Sequence, residues 1–168
     1  MALPRKLKLM NLMIDGGKFL GTVNEVTQPK LAMKAEEYRA GGQIAPVDIN
    51  MGLEKLEAEF KMGGYMVELI SKFGATIDGM QMRFMGAYEQ DDSGDVTSVE
   101  LVMRGRFSEI DPGNSKVGDD TEQNFKVPLT YYKIIVDGKE LVEIDALNTI
   151  FIVDGVDKLA EHRAAIGL

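Results

Sequence analysis

The chain has 168 residues, 45% of them hydrophobic, and a formal net charge of −8. That length supports one domain with its own core, no shift in composition marks a linker, and residues 1–168 are read as a single domain. An acidic surface repels nucleic acid and so argues against a DNA-binding module; no run of about 18 apolar residues offers a membrane span; and the lack of cysteine, with only one histidine, excludes disulfides, thiolate metal sites and multi-histidine sites.

The start, Met1-Ala2-Leu3-Pro4-Arg5-Lys6-Leu7-Lys8, is basic, but no sustained apolar stretch follows, so no secretory signal is expected. Residues 6–14 alternate at first, Leu7 and Leu9 against Lys6 and Lys8. Asp15-Gly16-Gly17 reads as a turn and Lys18–Val26 as the returning strand of a hairpin. Lys30–Arg39 alternates weakly. Its composition would also suit an amphipathic helix, but the helical stripe is thin, and a strand is preferred. Ala40–Gly52 holds three glycines and a proline and reads as a long loop, with Ile44, Val47, Ile49 and Met51 in it. Composition leaves open whether these apolar residues tuck under their own domain or are covered by a neighbouring subunit.

Leu53–Met62 alternates again, Leu56, Ala58 and Phe60 against Lys55, Glu57, Glu59 and Lys61. Paired with 30–39, it would make a long hairpin with one apolar and one charged face. After Gly63-Gly64, the apolar residues Tyr65, Met66, Leu69, Ile70 and Phe73 have helical spacing, and Gly74 suits the C′ position. The spacing predicts a helix over 65–73, packed on a sheet. Gln81–Glu89 and Val96–Ile110 read as strands joined by an acidic turn, and Asp111–Glu122 as a polar loop.

The strongest local signal is Asp137-Gly138 between Phe125–Val136 and Lys139–Ala146. Asp-Gly supplies the positive φ angles of a type I′ turn. The first strand is apolar on both faces. The second alternates Val142, Ile144 and Ala146 with Glu143 and Asp145, which implies a wet acidic face. Val156–Ile166 is read as a short terminal helix. The fold class is mainly β (α+β): an antiparallel β-sandwich or barrel with long hairpins, one packed helix and a short C-terminal helix.

No catalytic constellation rises above background, and an enzyme is not expected. Asp91-Asp92-Ser93-Gly94-Asp95 invites calcium, but an EF-hand count from Asp91 puts Val96 and Val102 where glycine and glutamate belong. A solvated hairpin turn is the preferred reading. Asp119, Asp120 and Glu122 near Asp111 read as a solvated loop rather than a metal cluster. His162 has no thiol, second histidine or nucleophile-elbow serine to act with. No cofactor is implied.

Several segments, in order and spacing, resemble the major tail tube proteins of contractile-tailed bacteriophages. They are Met1–Asn11, Pro29–Leu31, Glu37–Gly41, Ala45–Asp48, Gly63-Gly64, Val102–Arg106, Glu109–Asp111, Gly118–Glu122, Asp137–Asp145, Val153–Leu159, Glu161–Arg163 and Ile166–Leu168. The resemblance implies hexameric rings stacked head to tail into a rigid inner tube, in a virion tail assembled in the host cytoplasm. DNA would pass through the lumen without specific binding. Tail sheath, baseplate, tail terminator and a tape measure protein in the lumen are the implied partners. Related tubes belong to DNA-free particles, pyocin-like or secretory, and the chain alone does not separate these; a monomeric β adaptor domain is the remaining alternative. Within the tube reading, Lys34, Glu36, Glu57 and Glu59 are expected to face the lumen, with Glu143 and Asp145 as further acidic surface. Ile44, Val47, Ile49, Asp111, Asp119 and Asp120 are expected in loops that touch neighbouring subunits.

Overall fold

A computed structural model describes residues 1–168. In chain order the strands are β1 (Arg5–Ile14), β2 (Gly17–Lys18), β3 (Val23–Thr27), β4 (Met33–Tyr38), β5 (Val47–Leu53) and β6 (Glu57–Met62). Then come helix α1 (Val67–Ile70), β7 (Met80–Gln90), β8 (Val96–Gly105), β9 (Glu109–Asp111), β10 (Gln123–Val136), β11 (Lys139–Asp145), β12 (Ile150–Val153), β13 (Val156–Asp157) and helix α2 (Ala160–Ala165). The fold is mainly β and antiparallel.

Strand β10 belongs to two sheets. Its first half, Gln123–Pro128, lies between β6 and β9, with β3 beyond β6. Its second half lies between β8 and β11, in a sheet ordered β13-β12-β11-β10-β8-β7-β1-β2. At the changeover the register with β8 slips between Leu129 and Tyr131. One extra residue there exchanges the faces of everything after it. Phe125, Val127 and Leu129 point into the core before the slip, and Tyr132 after it. This is why the segment reads as apolar on both faces. Pro128, which has no N–H to give, sits at the changeover, beyond the point where β9 ends.

Both sheets feed one core. Ala58, Phe60, Met62, Phe125 and Val127 meet Leu12, Ile14, Met82, Phe84, Leu101, Met103 and Tyr132. Burial pushes the Tyr132 phenol up to about 12, so it stays neutral there. On the opposite face of the larger sheet Tyr131 is covered by Arg104, whose guanidinium carbon stands 4.4 Å from the ring centroid, while its hydroxyl donates to Glu143.

Several expectations need correction. The 6–14 and 18–26 segments do not form a full hairpin: β2 is two residues long, β1 pairs along its length with β7, and β3 leaves to join β6. Residues 47–52, read as part of the Ala40–Gly52 loop, form strand β5 together with Leu53, and β5 is the partner of β4. The hairpin of 30–39 with 53–62 therefore does not form; β6 pairs with β3 and β10 instead. The glycines and proline cluster at the turn of this hairpin, where Gly41, Gly42 and Pro46 lie, while Gly52 takes φ 117° at a bulge inside it. The 65–73 helix shrinks to one turn. Only Met66 and Leu69 of its stripe are buried, and a nine-residue segment between glycines has too few anchors to propagate a helix. Val96–Ile110 is interrupted after Gly105. The terminal helix starts at Ala160, because Val156-Asp157 pairs with β12. Asp145 is 9% exposed rather than wet. The 146–149 turn folds over it, and its carboxylate accepts from the Leu147 and Asn148 backbone N–H groups and the Asn148 side chain.

The type I′ turn is present, with Asp137 at φ 48° and Gly138 at φ 80°. Asp15-Gly16 and Asp154-Gly155 share this pair of positive φ values.

Gly105 lies where β8 ends against the bend of β10. A Cβ there would stand 2.3 Å from the Pro128 carbonyl oxygen. Gly105→Ala is expected to lower stability by about 1–3 kcal/mol, the cost of overpacking a close contact. Urea denaturation measures it, and an unchanged midpoint would show that β8 can draw back from β10 freely.

Candidate functional site and assembly surfaces

Three surfaces stand out: a strand pair without cover, a charged sheet face, and a cleft at the root of the strand pair. The strand pair is β4–β5. Val26 pairs with Phe60 in the body, and Met33 pairs with Leu53, seven residues further along each chain. The Glu54 N–H donates to the Ala32 carbonyl at 2.8 Å in the same register. One ribbon therefore runs from Val23 to Met62. Its base is built into the smaller sheet and its distal half, the arm, pairs with no other strand. Residues directly opposite share a face. Lys34, Glu36, Tyr38, Val47 and Ile49 lie on one side of the arm, and Met33, Ala35, Glu37, Asp48 and Asn50 on the other.

Every residue of β4 is exposed, as is all of β5 except Leu53. Ile44, at the tip, is 98% exposed. An isolated two-stranded hairpin is marginal in water, and this one adds uncovered Tyr38, Val47, Ile49 and Met51. The segment after β6 has the same character, with Tyr65, Val67, Phe73 and Ile77 turned to solvent.

The second surface is the outer face of β3-β6-β10-β9. The inner face of β6 buries Ala58, Phe60 and Met62, so alternation turns Glu57, Glu59 and Lys61 outward. Cross-strand pairing then sets two rows. Thr27, Glu59, Lys126 and Glu109 form one; Glu25, Lys61, Asn124 and Asp111 form the other. Lys126 lies 3.4 Å from Glu109 and 3.8 Å from Glu59. Glu109 first, then Glu59, hold its ammonium above the usual lysine range. Lys61 lies 3.6 Å from Glu25, and Lys55 lies 3.0 Å from Glu57 at the rim. With Glu57 the two rows place five carboxylates against two ammonium groups. β3 and β9 each pair on one side only, so both edges of this sheet are open.

The third surface is a cleft of about 690 Å³ at the root of the arm, lined by Leu53, Leu56, Leu129, Ile144, Phe151 and Leu159. His162 is exposed on α2 at its wall. Helix α2 is held by Arg163, which pairs with Asp157 and donates to the Thr149 carbonyl at 2.9 Å. Arg163 in turn keeps the Asp157 carboxyl below the usual carboxylate range.

The residues singled out from sequence are thus dispersed. Glu57 and Glu59 share the charged sheet face. Lys34 and Glu36 do not join them but lie on the arm among Tyr38, Val47 and Ile49. Ile44 is at the arm tip, and Val47 and Ile49 are in its second strand rather than a loop. Asp111 belongs to β9 and the charged face, while Asp119 and Asp120 remain in an exposed loop, with Lys116 3.6 Å from Asp119. The acidic turn at 91–95 ties down the N-terminus: Asp92 accepts from the Leu3 N–H at 3.1 Å and Asp91 lies 3.7 Å from Lys8. Lys126 and Glu109 escaped the sequence reading, because only cross-strand register brings them beside Glu59.

The family model for phage tail tube protein FII matches residues 4–167. The chain is 47% identical to the tail tube protein of Escherichia phage P2 over 172 aligned positions, covering the whole of both. It is 45% identical to the major tail tube protein of Serratia phage KSP20, covering all of this chain and 99% of that one. Among solved structures it is similar to the sheath/tube terminator of an extracellular contractile injection system (PVC) in its extended state. The TM-score is 0.54 at 10% identity, over 76% of this chain and 92% of that one. It is similar also to the tube terminating cap of the anti-feeding prophage, at TM-score 0.54 and 10% identity, over 80% and 93%. At that identity the likeness is one of fold.

The arm has no partner within the subunit, so its backbone hydrogen bonds open locally. In the free subunit the amides of 33–38 and 47–53 are expected to exchange with solvent orders of magnitude faster than those of β7, β8 and β10. Mass-resolved hydrogen exchange reads this directly, and equal protection would show that the body stabilises the arm.

Proposed function

The chain belongs to the phage tail tube protein family, and from that premise we propose that its copies close into hexameric rings that stack head to tail as the inner tube of a contractile tail. The whole chain acts as one tube domain. The observation that carries the assembly is the arm: an ordered strand pair, with Tyr38, Val47 and Ile49 on one side and without cover in its own subunit, is completed by a neighbouring one. A contact between two different patches of the same chain is heterologous, and repeated contacts of that kind build rings and filaments.

In this reading the charged face of β3-β6-β10-β9 lines the lumen, with Glu25, Glu57, Glu59, Glu109 and Asp111 giving it net negative charge. DNA moves along such a wall without adhering, because like charge denies it the counterion-releasing contacts that make protein–DNA binding strong. The open edges of β3 and β9 meet the neighbouring subunits of the ring, which removes two exposed edges at once. Lys34, Glu36, Ile44, Val47 and Ile49 serve the arm contact. Asp119 and Asp120 act in a second neighbour-facing loop. Sheath, baseplate, terminator and tape measure protein are the partners this role requires. A DNA-free injection tube is the second reading, favoured by the fold likeness to contractile injection systems. The high identity to two phage tube proteins weighs toward the phage role.

Val47→Asp with Ile49→Asp places two charges where the arm exposes its apolar pair beside Tyr38 and leaves the core untouched. The double variant is expected to give a folded subunit, with unchanged circular dichroism, that forms no tubes under conditions where the parent chain does. Negative-stain electron microscopy and light-scattering mass measure this. Tubes of normal length from the double variant would remove the arm from assembly, and a parent chain that stays monomeric even with baseplate complex added would remove the tube role.

A further inference from the structure

We propose that the lysines of the β3-β6-β10-β9 face are neutralised in place by carboxylates, with Lys126 clamped between Glu59 and Glu109, so that the wall presents no free cation to a passing polyanion. The proposal rests on the lumen assignment above.

A net negative wall is not by itself enough for free passage. A long polyanion responds to local cations, and one accessible ammonium per subunit recurs along the whole tube. Contacts too weak to matter singly add up when they are repeated on one rigid lattice. Each phosphate neutralised also releases condensed counterions. A repeating lysine is therefore the feature a conducting wall must avoid or disarm.

This face carries lysines, and the pairing disarms them. Lys126 is in the middle strand, with Glu59 directly across on β6 and Glu109 directly across on β9. Both carboxylates lie within 4 Å of its ammonium, and they hold its proton more tightly than usual. Lys61 is opposite Glu25 and lies 3.6 Å from it. Lys55, at the rim, is paired with Glu57 at 3.0 Å. Single exposed pairs of this kind add little stability. Their consequence is electrostatic: each ammonium faces one or two carboxylates before it can face a phosphate. The arrangement keeps the cross-strand attraction of opposite charges, which favours this register, while holding each exposed ammonium beside a carboxylate.

The test uses assembled tubes and a fluorescent 20-mer oligonucleotide, followed by anisotropy across a salt series. Glu59→Gln with Glu109→Gln frees Lys126. It is expected to raise affinity at low salt by about tenfold or more over parent tubes, with a steeper salt dependence. Adding Lys126→Gln to that pair should return affinity to the parent level. Persistent binding in the triple variant would assign the gain to bulk charge and overturn the clamp. No gain in the double variant would overturn it as well. If the double variant does not assemble, Glu25→Gln, which frees Lys61, is read in the same way.

The lumen assignment is tested separately. The chain has no cysteine, so Lys126→Cys gives one site for a biotin maleimide. Biotin is small enough to enter a tube, whereas streptavidin is excluded from a narrow lumen. Streptavidin on the walls of labelled tubes would overturn the lumen assignment and the clamp with it. Walls bare of streptavidin, together with a double variant that still ignores DNA, would overturn the clamp alone.

Discussion

The rest of the structure depends on β10, fourteen residues long, being paired along both edges for most of its length while changing sheets halfway. A strand in that position must satisfy two constraints. Its backbone groups need partners on each side, and its side chains need to face one core from two directions. The slip at Thr130 meets the second by exchanging inner and outer faces. Gly105 meets the first by letting β8 approach the Pro128 carbonyl more closely than any side chain would allow. The two sheets then enclose a single apolar cluster. The smaller sheet is left with a hydrophilic outer side, and the ribbon leaves that sheet to become the arm.

Much of this was legible in the sequence where the signal is local. The Asp137-Gly138 turn, the strands over Gln81–Glu89 and from Val96 onward, and the acidic turn at 91–95 that joins them are each set by neighbours in the chain. Pairing partners were less legible. A period of two says which residues share a face, not which strand lies alongside. Alternation alone therefore groups Lys34 and Glu36 with Glu57 and Glu59, although the ribbon's register puts them on different surfaces. Val47, Ile49 and Met51 alternate with Asp48 and Asn50, yet the glycines and proline around them outweighed that pattern. Tyr65, Met66, Leu69, Ile70 and Phe73 have helical spacing, but Tyr65 and Phe73 face solvent in the subunit, and the helix stops after one turn.

The surfaces sort by what their side chains ask of their surroundings. The inner faces are apolar and already satisfied. The outer face of the smaller sheet is charged, paired and content with water. The arm is neither: its strands are ordered, but Tyr38, Val47 and Ile49 remain uncovered. The proposed tube role accounts for all three: a stable body, a wall that tolerates its contents, and a limb whose completion lies in another copy.

The arm's incompleteness also bears on kinetics. A lone subunit bears the conformational entropy of ordering this ribbon without the burial that would offset it. In the proposed tube, docking at an existing end supplies that burial in the same step. Starting a new polymer is thus slow relative to extending one, because the first subunits order their ribbons with few neighbours to receive them. On that proposal, the free subunits are expected to persist in their own concentrated pool and to lengthen a tube rapidly once a template appears. Control over where and when filaments begin then passes from the abundant subunit to whatever supplies the first completed ring.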